Sequence, residues 1–191
     1  MASIFKFRRA RGPADLAVDM VGVRLGERFL QAGVSNPKVF ALLAGKTGLT
    51  GRACAVVDTV EAGRILESAA EREGVLVEVS VAAAGRWPYE EASFDVGVVD
   101  GDALLNADAA QRLDRLRDLA RAVRPGGRVL AVRSWPVGLA GRLGFARART
   151  APSAEADMLV RALGEAGFRP VRLLAEREGL TFVEGFRQAG A

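Results

Sequence analysis

Apolar runs and helix-period patterns alternate along the chain from residue 28 to about residue 134. Arg28–Ala32 reads as a short buried strand that stops at Gly33. Asn36 offers a side-chain oxygen to cap a helix opening on Pro37, where φ is already helical and a missing N–H costs little. Val39, Phe40, Leu42 and Leu43 give that helix its apolar face. Residues 48–51 form a glycine-containing turn, and 53–57 is a second apolar strand stopped by Asp58. Val60–Glu73 carries Ile65, Leu66, Ala69 and Ala70 at helical spacing, with Gly74 placed to end it. Residues 75–81 alternate with β-branched side chains, the pattern of a third strand.

Trp87-Pro88-Tyr89 interrupts the rhythm, with Trp87 expected in the core. A strand over 94–99 then runs into Asp100-Gly101-Asp102. Residues 107–123 predict a helix with Leu113, Leu116, Leu119, Ala120 and Val123 inward. Pro125-Gly126-Gly127 is a tight turn before a strand over 129–132. Strands alternating with helices predict a parallel sheet covered on both faces, and such sheets bind ligands at the carboxyl ends of their strands. The C-terminal part differs. Residues 135–152 read as a Gly-, Arg- and Pro-rich connection, and 153–166 as a helix ending at Gly167. The strands over 168–175 and 180–186 are separated by 176–179 alone, too short for a parallel crossover, so they predict an antiparallel hairpin.

The 191 residues suit one domain, read as an N-terminal segment (1–23) and a single unit (24–191). With 50% hydrophobic and 26% charged residues the composition is that of a globular protein. No apolar run reaches the roughly 18 residues of a membrane span, and 1–11 lack the pattern of a secretory signal, so a cytoplasmic location is expected. There is no histidine, which excludes Ser-His-Asp triads, Cys-His pairs and histidine-ligated metals. One cysteine, Cys54, excludes an intrachain disulfide and a cysteine zinc cluster. Chemistry must therefore rest on carboxylates, Arg, Lys, Tyr89, hydroxyls or a cofactor. The net charge is +4, but its arginines are interleaved with acids, as in Glu71-Arg72-Glu73 and Glu176-Arg177-Glu178. Such mixed runs are solvated faces and argue against nucleic acid as a partner. Lys6, Arg8, Arg9 and Arg11, beside Phe5 and Phe7, read either as a tail or as a contact for phosphates or a membrane surface.

Ser93-Phe94-Asp95-Val96, a helix, Arg124-Pro125-Gly126-Gly127-Arg128-Val129-Leu130 and a terminal Ala166-Gly167-Phe168 hairpin together resemble class I S-adenosylmethionine-dependent methyltransferases of the type 11-like kind. The resemblance covers residues 24–186 and implies a Rossmann-like α/β fold. Its seven-stranded, mostly parallel sheet would end in an antiparallel hairpin, the final strand inserted beside the fifth. It implies S-adenosyl-L-methionine as cofactor, with Gly33, Ser35 and Asn36 in the loop after the first strand. Asp58, beside Thr59, would meet the ribose hydroxyls, roughly 25 positions after Gly33. Ala83, Ala84 and Gly85 would border adenine, with the amides of Ala84 and Gly85 as donors, and Asp100 would face the transferred methyl.

The loop departs from the family pattern. Gln31 stands where an acid is expected, Gly33 alone remains of three glycines, and Ala83 replaces the adenine-binding acid. The loop therefore reads equally as a binding loop or a plain turn, and Asp58 as a ribose ligand or the cap of the following helix. Asp100 and Asp102 read as catalytic acids able to take a proton from the acceptor, as a metal-binding pair, or as a solvated turn; no metal is assigned. Ser134, with Arg133 and Trp135, would line an acceptor pocket. Two functions follow: methyl transfer to a small-molecule acceptor, or a degenerate binding or scaffold protein. A nicotinamide-binding enzyme is disfavoured by the hairpin and by the absence of Gly-x-Gly-x-x-Gly. The oligomeric state is left open, a homodimer included.

Overall fold

The structure is a computed structural model that describes residues 12–34, 36–134 and 153–189. Its elements are α1 (Pro13–Val21), β1 (Arg28–Ala32), α2 (Pro37–Thr47), β2 (Arg52–Val57), α3 (Val60–Glu73), β3 (Glu78–Val81) and β4 (Phe94–Asp100). They continue as α4 (Gly101–Asn106), α5 (Ala109–Ala122), β5 (Val123–Ser134), α6 (Ala154–Glu165), β6 (Phe168–Arg177) and β7 (Leu180–Arg187). The seven strands form one sheet in the order β3-β2-β1-β4-β5-β7-β6. Strands β1 to β5 are mutually parallel, and β7 runs antiparallel to both β5 and β6. The antiparallel hairpin and its insertion beside the fifth strand are as the sequence predicts. Glu178 and Gly179 both have positive φ (53° and 78°), so a two-residue turn closes the hairpin and both strands run further than expected.

Both faces of the sheet are buried, which is why its central strands read as continuous apolar runs. Adjacent residues divide between the layers. Phe29, Val96 and Leu130 pack with Phe40, Leu43 and Leu66 from α2 and α3. Leu30, Val99 and Val129 pack with Leu116 and Leu119 from α5 and Leu159 and Leu163 from α6.

The Pro-Gly-Gly turn lies inside the span of β5. Phe94 pairs with Val123 and Val96 with Arg128, so the ladder loops out at 124–127. Gly127 is packed so closely that a Cβ there would lie 2.6 Å from Val123 Cγ1. Asp95 anchors the same corner: its Oδ1 accepts from Arg124 Nε at 2.6 Å and its Oδ2 from the Arg28 amide at 2.8 Å.

Several expectations need correction. The helix expected over 107–123 is α5, started by Asp108, whose Oδ1 accepts from the Gln111 amide, and a further short helix, α4, begins at Gly101, where the sequence reads as a turn. Val123 already belongs to β5. The strand expected over 75–81 is confined to the edge strand β3. Ile65, expected inward, is 43% exposed, because the buried stripe of α3 runs through Leu66, Ala69 and Ala70. Helix α1 has no counterpart among the expected elements; Leu16, Ala17, Val18 and Val21 seat it on the α2 side of the sheet. The connection at 135–152, Trp135, Ser35 and the basic cluster near the N-terminus lie outside the described residues.

Candidate functional site

Strand order places the carboxyl ends of β2, β1 and β4 side by side, so the residues following or ending them, Asp58, Gly33 and Asp100, stand in a row. Gly33 has φ +85°, and its amide donates to the Val56 carbonyl at 2.9 Å. A Cβ there would lie 3.0 Å from Asp100 Cβ, so backbone angle and space both call for glycine. The preceding Gln31 is buried and its Nε2 donates to the Gly33 carbonyl at 3.4 Å. Beyond the loop Asn36 caps α2, its Oδ1 accepting from the Val39 amide at 3.2 Å.

On the β2 side the cap of α3 is Thr59, whose Oγ1 accepts from the Ala62 amide at 3.2 Å. The helix-cap alternative for Asp58 is thereby removed. Asp58 is half exposed, and its Oδ2 accepts from Arg115 Nη2 at 2.5 Å. Ala83 is exposed and Ala84 partly buried at the end of β3. The Gly85 amide donates to Asp118 Oδ2 at 2.7 Å, so α5 already uses a donor that the family resemblance assigns to adenine.

On the β4 side Asp100 is buried, and its Oδ1 accepts from the amides of Asp102 (2.9 Å) and Ala103 (3.2 Å), capping α4. Burial pushes its carboxyl above the usual aspartate value; the two capping amides and Arg115 oppose the rise, and Asp102 adds to it. Asp102 Oδ1 lies 3.1 Å from Arg133 Nε, while its Oδ2 accepts from both the amide and the hydroxyl of Ser134 at 3.2 Å. Asp100-Gly101-Asp102 is therefore a tied corner rather than a solvated turn. Among the described residues no cluster of three metal-ligating side chains occurs.

Between α1, α2 and the sheet lies a cavity of about 110 Å³ lined mainly by Ala17, Leu43, Val98 and Val132, with Gln31, Asn36 and Ser134 as polar groups. Trp87 and Tyr89 are buried, the Tyr89 hydroxyl donating to the Ala55 carbonyl at 2.9 Å. Burial pushes that phenol up to about 12. Both side chains are core.

Arg115 and Asp118 of α5 shape this end of the sheet, with Arg121 at the opposite end of the helix, and none of the three is among the residues that the sequence singles out. Asp118 binds Gly85, and Arg121 donates to the carbonyls of Trp87 and Tyr89. A signal is present in the helical period. Arg115 stands four positions before Leu119 and Asp118 four before Ala122, so both charges border the buried stripe of α5.

No family model matches the sequence, and no curated protein matches it. Solved structures do. A SAM-dependent methyltransferase from Aquifex aeolicus superposes with a TM-score of 0.70 over 91% of this chain and 89% of its own, at 17% identity. The chain has the class I methyltransferase fold. A second methyltransferase, from Methanococcus maripaludis, gives a TM-score of 0.67 over 93% of this chain and 84% of its own, at 13% identity. The [4+2]-cyclase SpnF shares the fold as well, with a TM-score of 0.65 over 93% of this chain and 80% of its own, at 16% identity. One class I methyltransferase fold thus carries different chemistries, and function has to be argued from the site.

Proposed function

We propose that the chain binds S-adenosyl-L-methionine at the carboxyl ends of β1, β2 and β4 and methylates a small-molecule acceptor. The observation that carries this reading is the row Asp58, Gly33, Asp100. It sets a half-exposed carboxylate, a close-approach glycine and a buried carboxylate at the adjoining carboxyl ends of β2, β1 and β4 in the class I methyltransferase fold. When bound, the cofactor supplies an electrophilic methyl group on a sulfonium leaving group. Asp58 would accept from the ribose hydroxyls, with Thr59 beside it. Gly33, Ser35 and Asn36 would form the loop that the cofactor crosses. Ala83, Ala84 and Gly85 would wall the adenine, without a side-chain acceptor.

Asp100 is the better placed of the two acids to take a proton from the acceptor, because burial already favours its protonated form. Asp102 would act as a positioning residue, with both oxygens engaged by Arg133 and Ser134. The apolar lining of the cavity beside Gln31 suits an apolar acceptor group, and its volume of about 110 Å³ admits only part of such a molecule. No helix among the described residues is long and apolar enough to cross a membrane. A cytoplasmic setting suits the buried, unpaired Cys54.

A second reading, a binding or scaffold protein without turnover, draws support from Gln31, Ala83 and the occupied oxygens of Asp102. Calorimetric titration with S-adenosylmethionine and S-adenosylhomocysteine tests the first reading. Saturable one-site binding, with methyl transfer to members of a small-molecule panel, is the expected result. Binding without transfer to any acceptor favours the scaffold, and no binding to folded protein removes the cofactor assignment.

A further inference from the structure

Arg115 stands on α5 next to Leu116, a residue of the core. Its side chain is only 15% exposed, yet its charge partner is the half-exposed Asp58 at the end of β2. Its Nε is buried and makes no hydrogen bond among the described residues. Its charge is also felt by Asp100, on the other side of Gly33. The guanidinium thus reaches from α5 to the end of β2, and its charge reaches the end of β4.

A ribose diol presents two O–H donors, and a carboxylate is suited to it when both oxygens are open. Arg115 holds one of them. The contact is also a weak lock: one partner is hydrated, and an arginine donor is left unsatisfied.

We propose that Arg115 is an internal competitor for the ribose position, a latch that occupies Asp58 until a nucleoside displaces it. The proposal deepens the cofactor reading and rests on it only for the ribose; any ligand with a ribose diol would meet the same latch. Displacement costs the ion pair and returns a carboxylate with both oxygens free. Asp58 stays hydrated when the arginine leaves, so removing Arg115 does not strand a buried charge there.

The test uses adenosine and S-adenosylhomocysteine as calorimetric probes on the wild-type chain and Arg115→Met, which keeps the apolar stem. Thermal melts establish that both are folded. Arg115→Met is expected to bind both probes about fivefold more tightly, the scale of a partly exposed ion pair. Raising salt should tighten adenosine binding to the wild-type chain, because screening weakens the pair, and leave Arg115→Met unchanged. Equal or weaker binding by folded Arg115→Met overturns the latch, weaker binding making Arg115 a ligand donor instead. If adenosine binding tightens but S-adenosylhomocysteine binds no better than adenosine, the latch stands and the cofactor reading falls. Absence of binding by both probes to both proteins overturns the two together.

Discussion

The amide of Gly85 donates to Asp118 Oδ2 at 2.7 Å, tying the loop after β3 to α5 across 33 positions of sequence. Asp118 is buried, with Arg121 3.7 Å from its other oxygen. One carboxylate therefore sets the position of the segment proposed to wall the adenine. Asp118→Ala should destabilise the fold by about 1.5–3 kcal/mol, the worth of a hydrogen bond to a charged group. Urea unfolding measures this, and cofactor affinity should fall with it.

Ala83 is exposed at the end of β3, so a longer side chain fits there without repacking. Ala83→Asp should tighten S-adenosylmethionine binding roughly tenfold, by giving the adenine amino group a charged acceptor. Titration of the two proteins side by side is the check. Unchanged affinity in the folded variant would place the adenine elsewhere.

Asp58→Ala should weaken cofactor binding by about 1.5–3 kcal/mol, the usual worth of hydrogen bonds to a charged group. Since Thr59 caps α3, the same variant should leave helix content nearly unchanged, while the loss of Arg115's charge partner lowers the melting temperature. Circular dichroism and calorimetry separate the two effects.

Gly33→Ala meets both a positive φ and Asp100 Cβ at 3.0 Å. A non-glycine residue at such an angle costs about 1–2 kcal/mol before any steric shift. Denaturant midpoints should fall accordingly, and cofactor binding should fall further than stability does, because Asp100 is the neighbour that has to move.

Asp95 supplies a pH dependence. Burial works against its charge, but Arg124 and the Arg28 amide outweigh it and hold the carboxyl below the usual aspartate value. A depressed folded value stabilises the fold above the unfolded value, about 4. That contribution is lost as pH falls from there through the folded value. Stability followed from pH 7 to pH 2 should therefore decline at the acid end, and Asp95→Asn should be less stable at pH 7 with a shallower acid limb.

Much of the architecture is legible because local rules and burial agree. Asn36 and Pro37 open α2 as capping chemistry requires, Gly74 ends α3 in the left-handed conformation, and a connection too short for a crossover forces the hairpin. Where sequence and structure differ, the missing information is a partner far along the chain. Ile65 has the spacing of an inward residue, but the placement of α3 on the sheet decides which edge of the stripe is covered. Residues 75–77 have a strand's composition, but β3 is an edge strand with a ladder on one side alone.

The candidate site divides in the same way. Residue type, period and turn chemistry by themselves determined the parallel sheet, its reversed last strand and the strand ends where Gly33, Asp58 and Asp100 stand, because those properties act over a few neighbouring residues. Tertiary structure alone decided what the acids do. Asp58 meets Arg115 from 57 positions away and Asp102 meets Ser134 from 32, while Thr59 takes the capping role that proximity had equally offered Asp58. A carboxylate's role depends on which donors reach it and how much water it loses, and both are set by the packing of α5 and β5 over the ends of β2 and β4.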